Sequence, residues 1–145
     1  MTIFPCVFKG KQVGNTSKNK TVKRQLGDFG EALAKQHYID IGYMFVEANV
    51  QVKNIGEIDL IVSRRNNGVV EYIFSEVKTR TGVNKGYGYE SVNRSKRLRM
   101  RKCAIGWLEQ NIEFVKHRIS WRLDVVSIDI SKSPPQISLY ENIEV

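Results

Sequence analysis

Apolar and polar positions change period several times along the chain, and the changes mark out a helix, three strands, a second helix and two more strands. From Thr21, apolar residues recur at helical spacing through Leu26, Phe29, Leu33, part of Tyr38 and Ile41. Thr21 is of the type that caps a helix start, and Gly42 of the type that ends one. Gly27 and Gly30 weaken this helix by about 1 kcal/mol each relative to alanine, which makes sense where another backbone or a ligand comes close. Tyr43 to Ala48 reads as a strand, Glu57 to Arg65 as a second and Val69 to Thr79 as a third, with Asn66-Asn67-Gly68 as a hairpin turn. The loop from Thr81 to Gly88, with its three glycines, is expected to be flexible and to order on a ligand. A second helix is predicted over Ser91 to Asn111, with Val92, Leu98, Ala104, Ile105 and Leu108 apolar. Leu123 to Ile130 reads as a fourth strand, and Gln136 to Tyr140 as an edge piece after Pro134-Pro135. This order predicts an α/β fold, a central mixed β-sheet flanked by α-helices.

Residues 1–20 break the pattern. Lysines alternate there with Gly, Asn and Ser, and no acid precedes Asp28. The stretch reads as a basic flexible N-terminal extension, either touching phosphates or without a role. Residues 21–145 read as one domain, large enough to bury roughly 68–70% of its unfolded-chain surface. Lys and Arg number 23 against 15 Asp and Glu, a net charge of +8. That excess favours a polyanionic partner such as DNA, with RNA equally able to supply phosphates; simple solubility and a ribosomal association are the plain alternatives. The cysteines are Cys6 and Cys103 and the histidines His37 and His117, too few and too scattered for a zinc site. Free thiols in a reducing, cytoplasmic setting are expected. The opening apolar run, Ile3 to Phe8, is too short for a signal peptide, and no stretch approaches the ~18–20 apolar residues of a membrane span.

Two short runs carry the chemistry: Gly56-Glu57-Ile58-Asp59-Leu60 and Ser75-Glu76-Val77-Lys78-Thr79-Arg80. Strand side chains alternate between faces, so Glu57 and Asp59 are expected on one face, and Glu76 and Lys78 on one. Asp59 and Glu76 lie at nearly equal distance from the hairpin turn, so their carboxylates can stand side by side. Two such charges about 4 Å apart repel by roughly 4 kcal/mol at an effective dielectric of 20. A hard cation relieves this, and a few oxygen ligands suit Mg²⁺ or Mn²⁺. Lys78 would orient an attacking water or neutralise charge on a phosphate oxygen. Glu31, beside the helix glycines, would reach the same pocket. The bland alternative is an exposed Glu76–Lys78 salt bridge worth at most about 1 kcal/mol. Phe74, Val77, Ile58 and Leu60 argue against it by marking central strands.

Beyond these runs the chain carries Gly27-Asp28-Phe29-Gly30-Glu31-Ala32, then Asn49, then Gly88-Tyr89-Glu90-Ser91-Val92, Lys96, and Arg122-Leu123-Asp124-Val125-Val126. Together these motifs resemble the YraN-like family of small bacterial proteins, within the restriction-endonuclease-like PD-(D/E)XK nuclease superfamily that also holds the archaeal Holliday-junction resolvases. The resemblance runs from about Gly27 to Ile128. It implies a metal-dependent endonuclease, with Asp59, Glu76 and Lys78 as the core triad and Glu31 as the acid of the N-terminal helix. It also implies branched or junction DNA among the substrates and a homodimer that pairs two sites. Ser75 departs from the family, where that position is usually apolar. A non-catalytic nucleic-acid-binding module that keeps the fold is the competing reading.

Arg94, Lys96, Arg97, Arg99, Arg101 and Lys102 crowd the first turns of the second helix, and Arg94, Arg97 and Arg101 form one stripe suited to tracking phosphates, or simply a solvated face. Arg80 either holds a phosphate or pairs with Glu90. Arg122 and Asp124 read equally as an ion-paired sheet element. Trp107 and Trp121 are expected in the core or an interface rather than as base-stacking platforms, and Glu57 in a structural or supporting role.

Overall fold

The computed structural model describes residues 21–82, 90, 92–113 and 118–143. The extension assigned to residues 1–20 and most of the glycine loop lie outside them. The elements are α1 (Val22–Asp40), β1 (Met44–Val52), β2 (Gly56–Asn66), β3 (Val69–Arg80), α2 (Arg94–Asn111), β4 (Arg118–Asp129) and β5 (Gln136–Tyr140). The strands form one sheet in the order β1-β2-β3-β4-β5. Only β3 and β4 run parallel, joined by the crossover through α2; the other neighbours are antiparallel. The fold is the mixed α/β architecture that the element order predicts.

The β2–β3 hairpin turns where the sequence places it. Asn66 pairs with Val69, and both turn residues have left-handed backbones, Asn67 at φ 48° and Gly68 at φ 78°. That combination matches the twist of the flanking strands and selects Asn-Gly. On one face of the sheet, α2 buries Met100, Cys103, Ala104, Trp107 and Leu108 against Ile58, Ile61, Phe74, Leu123 and Val125. On the other face, α1 buries Ala34 and Tyr38 against Leu60, Val62, Ile73, Val126 and Ile128.

The stripe predicted for α1 is rotated. Gly30, Ala34 and Tyr38 enter the core, while Phe29 and Ile41 are exposed. The reason is closeness of approach: a Cβ at position 30 would stand 1.8 Å from Thr79 Oγ1, so the glycine lets the helix settle directly on β3. Gly27 meets open space and contributes nothing comparable. The second helix begins at Arg94 rather than Ser91, because Asn93 caps it, its side chain accepting from Lys96 N at 2.9 Å. Leu98 and Ile105, expected in its apolar stripe, are exposed.

Candidate active site

The hairpin ladder runs from Asn66–Val69 to Leu60–Ser75 and stops. The next pair in that register would be Asp59–Glu76. Instead, Asp59 Oδ2 accepts a hydrogen bond from Val77 N at 2.7 Å, so a carboxylate takes the place of a backbone carbonyl where the strands part. The strand also rotates there. Ile58 packs in the α2-side core and Leu60 in the α1-side core, although strict alternation would put them on one face. Across the β1–β2 pairing, Asn49 adopts a left-handed backbone, φ 52°, opposite this point. Glu57 and Asp59 consequently differ in surroundings. Glu57 is exposed and hydrogen-bonded to Gln51, whereas Asp59 turns inward.

Five of the expected charged residues converge at this opening: Glu31, Asp59, Glu76, Lys78 and Lys96. Glu76 is 2% exposed, and its carboxylate is held by Lys78 Nζ at 2.5 Å on Oε1 and Lys96 Nζ at 2.9 Å on Oε2. Oε2 is buried and accepts no hydrogen bond of acceptable geometry, so the Lys96 contact is a charge pair only. Burial first, and then the neighbouring Glu76 charge, push the Asp59 carboxyl up to about 6; the Val77 N–H and Lys96 pull the other way, and Glu31 adds a further push. Those electrostatic couplings place Glu31, Asp59, Glu76 and Lys96 in one field. Glu31 sits just past Gly30 on α1, its Oε2 accepting from Asn49 Nδ2 at 2.9 Å. Asn49 thus joins the site as the residue that aims Glu31. Among the described residues, no group of three His, Cys, Asp or Glu side chains is gathered as a ready metal-ligand set.

The structure redistributes the basic residues. Lys96, placed by the sequence on a phosphate-tracking face, points at the sheet and Glu76 because it shares the helix face of Met100 and Cys103. Arg97 is half-buried, and its Nε donates to Val92 O at 2.8 Å, bracing the entry to α2 rather than completing a free stripe. Arg94 and Arg101 are exposed, and Arg80 ends β3 half-buried. The cations that gather with Arg94 are Arg99 and Lys102, members of the basic run but not of the predicted Arg94–Arg97–Arg101 stripe. Arg122 and Asp124 form the ion-paired alternative. Asp124 is fully buried and receives Arg122 Nε at 3.0 Å, the Tyr38 hydroxyl at 2.9 Å and Asn142 N at 2.9 Å. Trp107 lies in the core, with its indole N–H donating to Glu47 at 2.9 Å.

Fold and site together define a small α/β protein whose acid–lysine cluster occupies the mouth of an opening central hairpin. The chain belongs to the family described as "Uncharacterised protein family UPF0102", matched over residues 30–128. It is similar to a UPF0102 protein of Corynebacterium glutamicum, 42% identical over 130 residues covering 86% of this chain and 96% of that one. A UPF0102 protein of Acetivibrio thermocellus is 35% identical, covering 85% of this chain and 89% of its own. One from Aliivibrio salmonicida is 35% identical, with 77% and 85% covered. The matched span contains the acid–lysine cluster. No helix among the described residues is long and apolar enough to cross a membrane.

Proposed function

We propose that this protein is a divalent-metal-dependent endonuclease of the restriction-endonuclease-like PD-(D/E)XK type, hydrolysing phosphodiester bonds in DNA. The observation that carries the reading is the pair Asp59 and Glu76, brought together where the strands part, with Lys78 on the same glutamate. Mutual repulsion between buried carboxylates is costly to a fold and useful to a cation site.

The donor set fits Mg²⁺ or Mn²⁺. Both carboxylates are hard oxygen donors, Glu76 Oε2 has no hydrogen bond to lose, and magnesium needs only one or two carboxylates because it keeps several waters. Asp59 and Glu76 would hold the ion, with Glu31 behind Asn49 as a further acid. Bound there, the ion would offset the carboxylate repulsion and polarise the phosphate. The chain's own residues supply the rest. Lys78 spends one N–H on Glu76 and keeps others for a non-bridging phosphate oxygen, where negative charge grows as water adds to phosphorus and the bond to the sugar oxygen breaks. Glu31, steadied by Asn49, orients the incoming water. Lys96 neutralises Glu76 and, with a cation on that glutamate, would be free to meet the substrate phosphates.

The second reading, a nucleic-acid-binding module without turnover, draws support from the engagement of both Glu76 oxygens by lysines. Nicking of supercoiled and branched DNA with Mg²⁺ or Mn²⁺, against an EDTA control, separates the two. Asp59→Asn, Glu76→Gln and Lys78→Ala should each abolish cleavage while DNA retention persists. Cleavage that survives Asp59→Asn would overturn the nuclease reading.

A further inference from the structure

The turn between β1 and β2 packs against α2 and leaves a cleft of about 570 Å³. Its walls mix two chemistries. Arg94, Arg99 and Lys102 supply three cations, while Ile55 and Leu98 are 36% and 41% exposed. Among the described residues no carboxylate lines it, Asp59 and Glu76 included. The cleft is built rather than incidental. Asn54 holds a left-handed backbone at φ 63° and Ile55 N bonds back to Val52 O at 3.0 Å, which fixes the turn that presents Ile55. A Cβ at position 56 would stand 3.0 Å from Arg99 Cδ, so the absence of a side chain at Gly56 is what lets the arginine stem lie across the turn.

The combination selects its occupant. Duplex DNA offers a protein surface mainly phosphates and sugars, with its base faces stacked away; three cations would suffice for it and the exposed leucine and isoleucine would touch nothing useful. An unpaired strand offers anionic phosphates and apolar base faces together, which matches cations set around aliphatic side chains. Position agrees. Arg99 follows Lys96 by three residues, about 4.5 Å along the helix axis, and Lys96 touches Glu76. We infer that the cleft formed by Ile55, Arg94, Leu98, Arg99 and Lys102 holds an unpaired DNA segment, so that the substrate carries single-stranded character within about one helical turn of the scissile phosphate. This rests on the nuclease reading and narrows its substrate.

The test uses the full chain carrying Asp59→Asn, in EDTA at fixed ionic strength. Fluorescence anisotropy compares a blunt duplex, the same duplex with an unpaired tail, and the single strand alone. The tailed and single-stranded DNAs should bind about tenfold tighter than the blunt duplex. Adding Ile55→Ala and Leu98→Ala, both exposed positions, should weaken binding of those two by about five- to tenfold and leave the blunt duplex unchanged, as loss of apolar area covered by a base requires. Lys102→Glu should weaken all three and flatten their salt dependence. Equal affinity for blunt and tailed DNA would overturn the inference, as would an equal loss on all three substrates in the double alanine variant. Cleavage by the unmutated protein without a preference for tailed DNA sinks the cleft alone, whereas an intact preference without cleavage sinks the nuclease reading alone.

Discussion

Replacing Asp59 by Asn should make the metal-free protein more stable at neutral pH, and the size of the effect follows from the geometry. Asp59 is held near Glu76 in a partly dry opening, and its carboxyl is pushed up to about 6 from 3.8. Between those two values the folded form binds more protons than the unfolded chain, so stability falls as pH rises from about 4 to about 6 and is flat above. At pH 7.5 the ionised carboxylate costs the fold on the order of 3 kcal/mol. Asparagine keeps the shape, and its side-chain oxygen still accepts from Val77 N, but that bond loses its charge assistance. The net gain is therefore about 1–3 kcal/mol, or roughly 3–10 °C in melting temperature for a chain of this size.

Circular-dichroism melts in EDTA at pH 7.5 and pH 4 check this. The variant should melt higher at pH 7.5, and the difference should shrink toward zero at pH 4, where the native Asp59 is protonated. Titrating Mg²⁺ at pH 7.5 should then reverse the order. The unmutated protein gains about 2.7 kcal/mol at a hundredfold excess over its dissociation constant, while the variant gains little. A variant less stable than its parent at pH 7.5 in EDTA, or a difference independent of pH, would refute the picture of two carboxylates forced together.

Three further outcomes are expected. Gly30→Ala drives a Cβ into Thr79 and should cost about 1–3 kcal/mol by overpacking, read as a lowered melting temperature that Thr79→Ala partly restores. Tyr38→Phe removes the hydroxyl that bonds Asp124 at 2.9 Å and Ser75 at 3.1 Å, and should cost about 1–3 kcal/mol in denaturant unfolding while leaving the Mg²⁺ response intact. Lys96→Ala removes the ammonium competing for Glu76 Oε2, so it should melt lower in EDTA yet bind Mg²⁺ more tightly in a melting titration; weaker Mg²⁺ binding would show that Lys96 does not compete for that oxygen.

Much of this was readable from the chain. The Asn-Gly turn and the alternation on either side of it put Asp59 and Glu76 level with each other, and β5 lies at the edge where Pro134-Pro135 suggested. What escaped was tertiary. Alternation assumes a regular strand, so it missed the rotation at Asp59 and with it the exposure of Glu57. The face that α1 buries was set by how closely Gly30 lets the helix approach, a property of Thr79 as much as of the helix itself. Counting arginines along α2 showed a basic helix but not its orientation. The signal was present nonetheless: Lys96 stands four residues before Met100 and seven before Cys103, both buried, which turns it toward the sheet. The cleft beside Arg99 depended on a turn forty residues upstream, a pairing that no local pattern encodes.

The protein holds two inward-facing aspartates, and the contrast between them is the strongest argument for function. Asp124 is answered on both oxygens by Arg122, Tyr38 and Asn142 N, all donors. Asp59 receives one main-chain N–H and faces Glu76 and Glu31, while both nearby lysines are given to Glu76. The same substitution should therefore act with opposite sign at the two sites. Asp124→Asn breaks a buried charge pair and should cost about 3 kcal/mol or more, whereas Asp59→Asn should stabilise. Loss of stability of similar size at both, measured by denaturant unfolding in EDTA at pH 7.5, would mean that Asp59 is as structural as Asp124 and would remove the physical ground for a cation site.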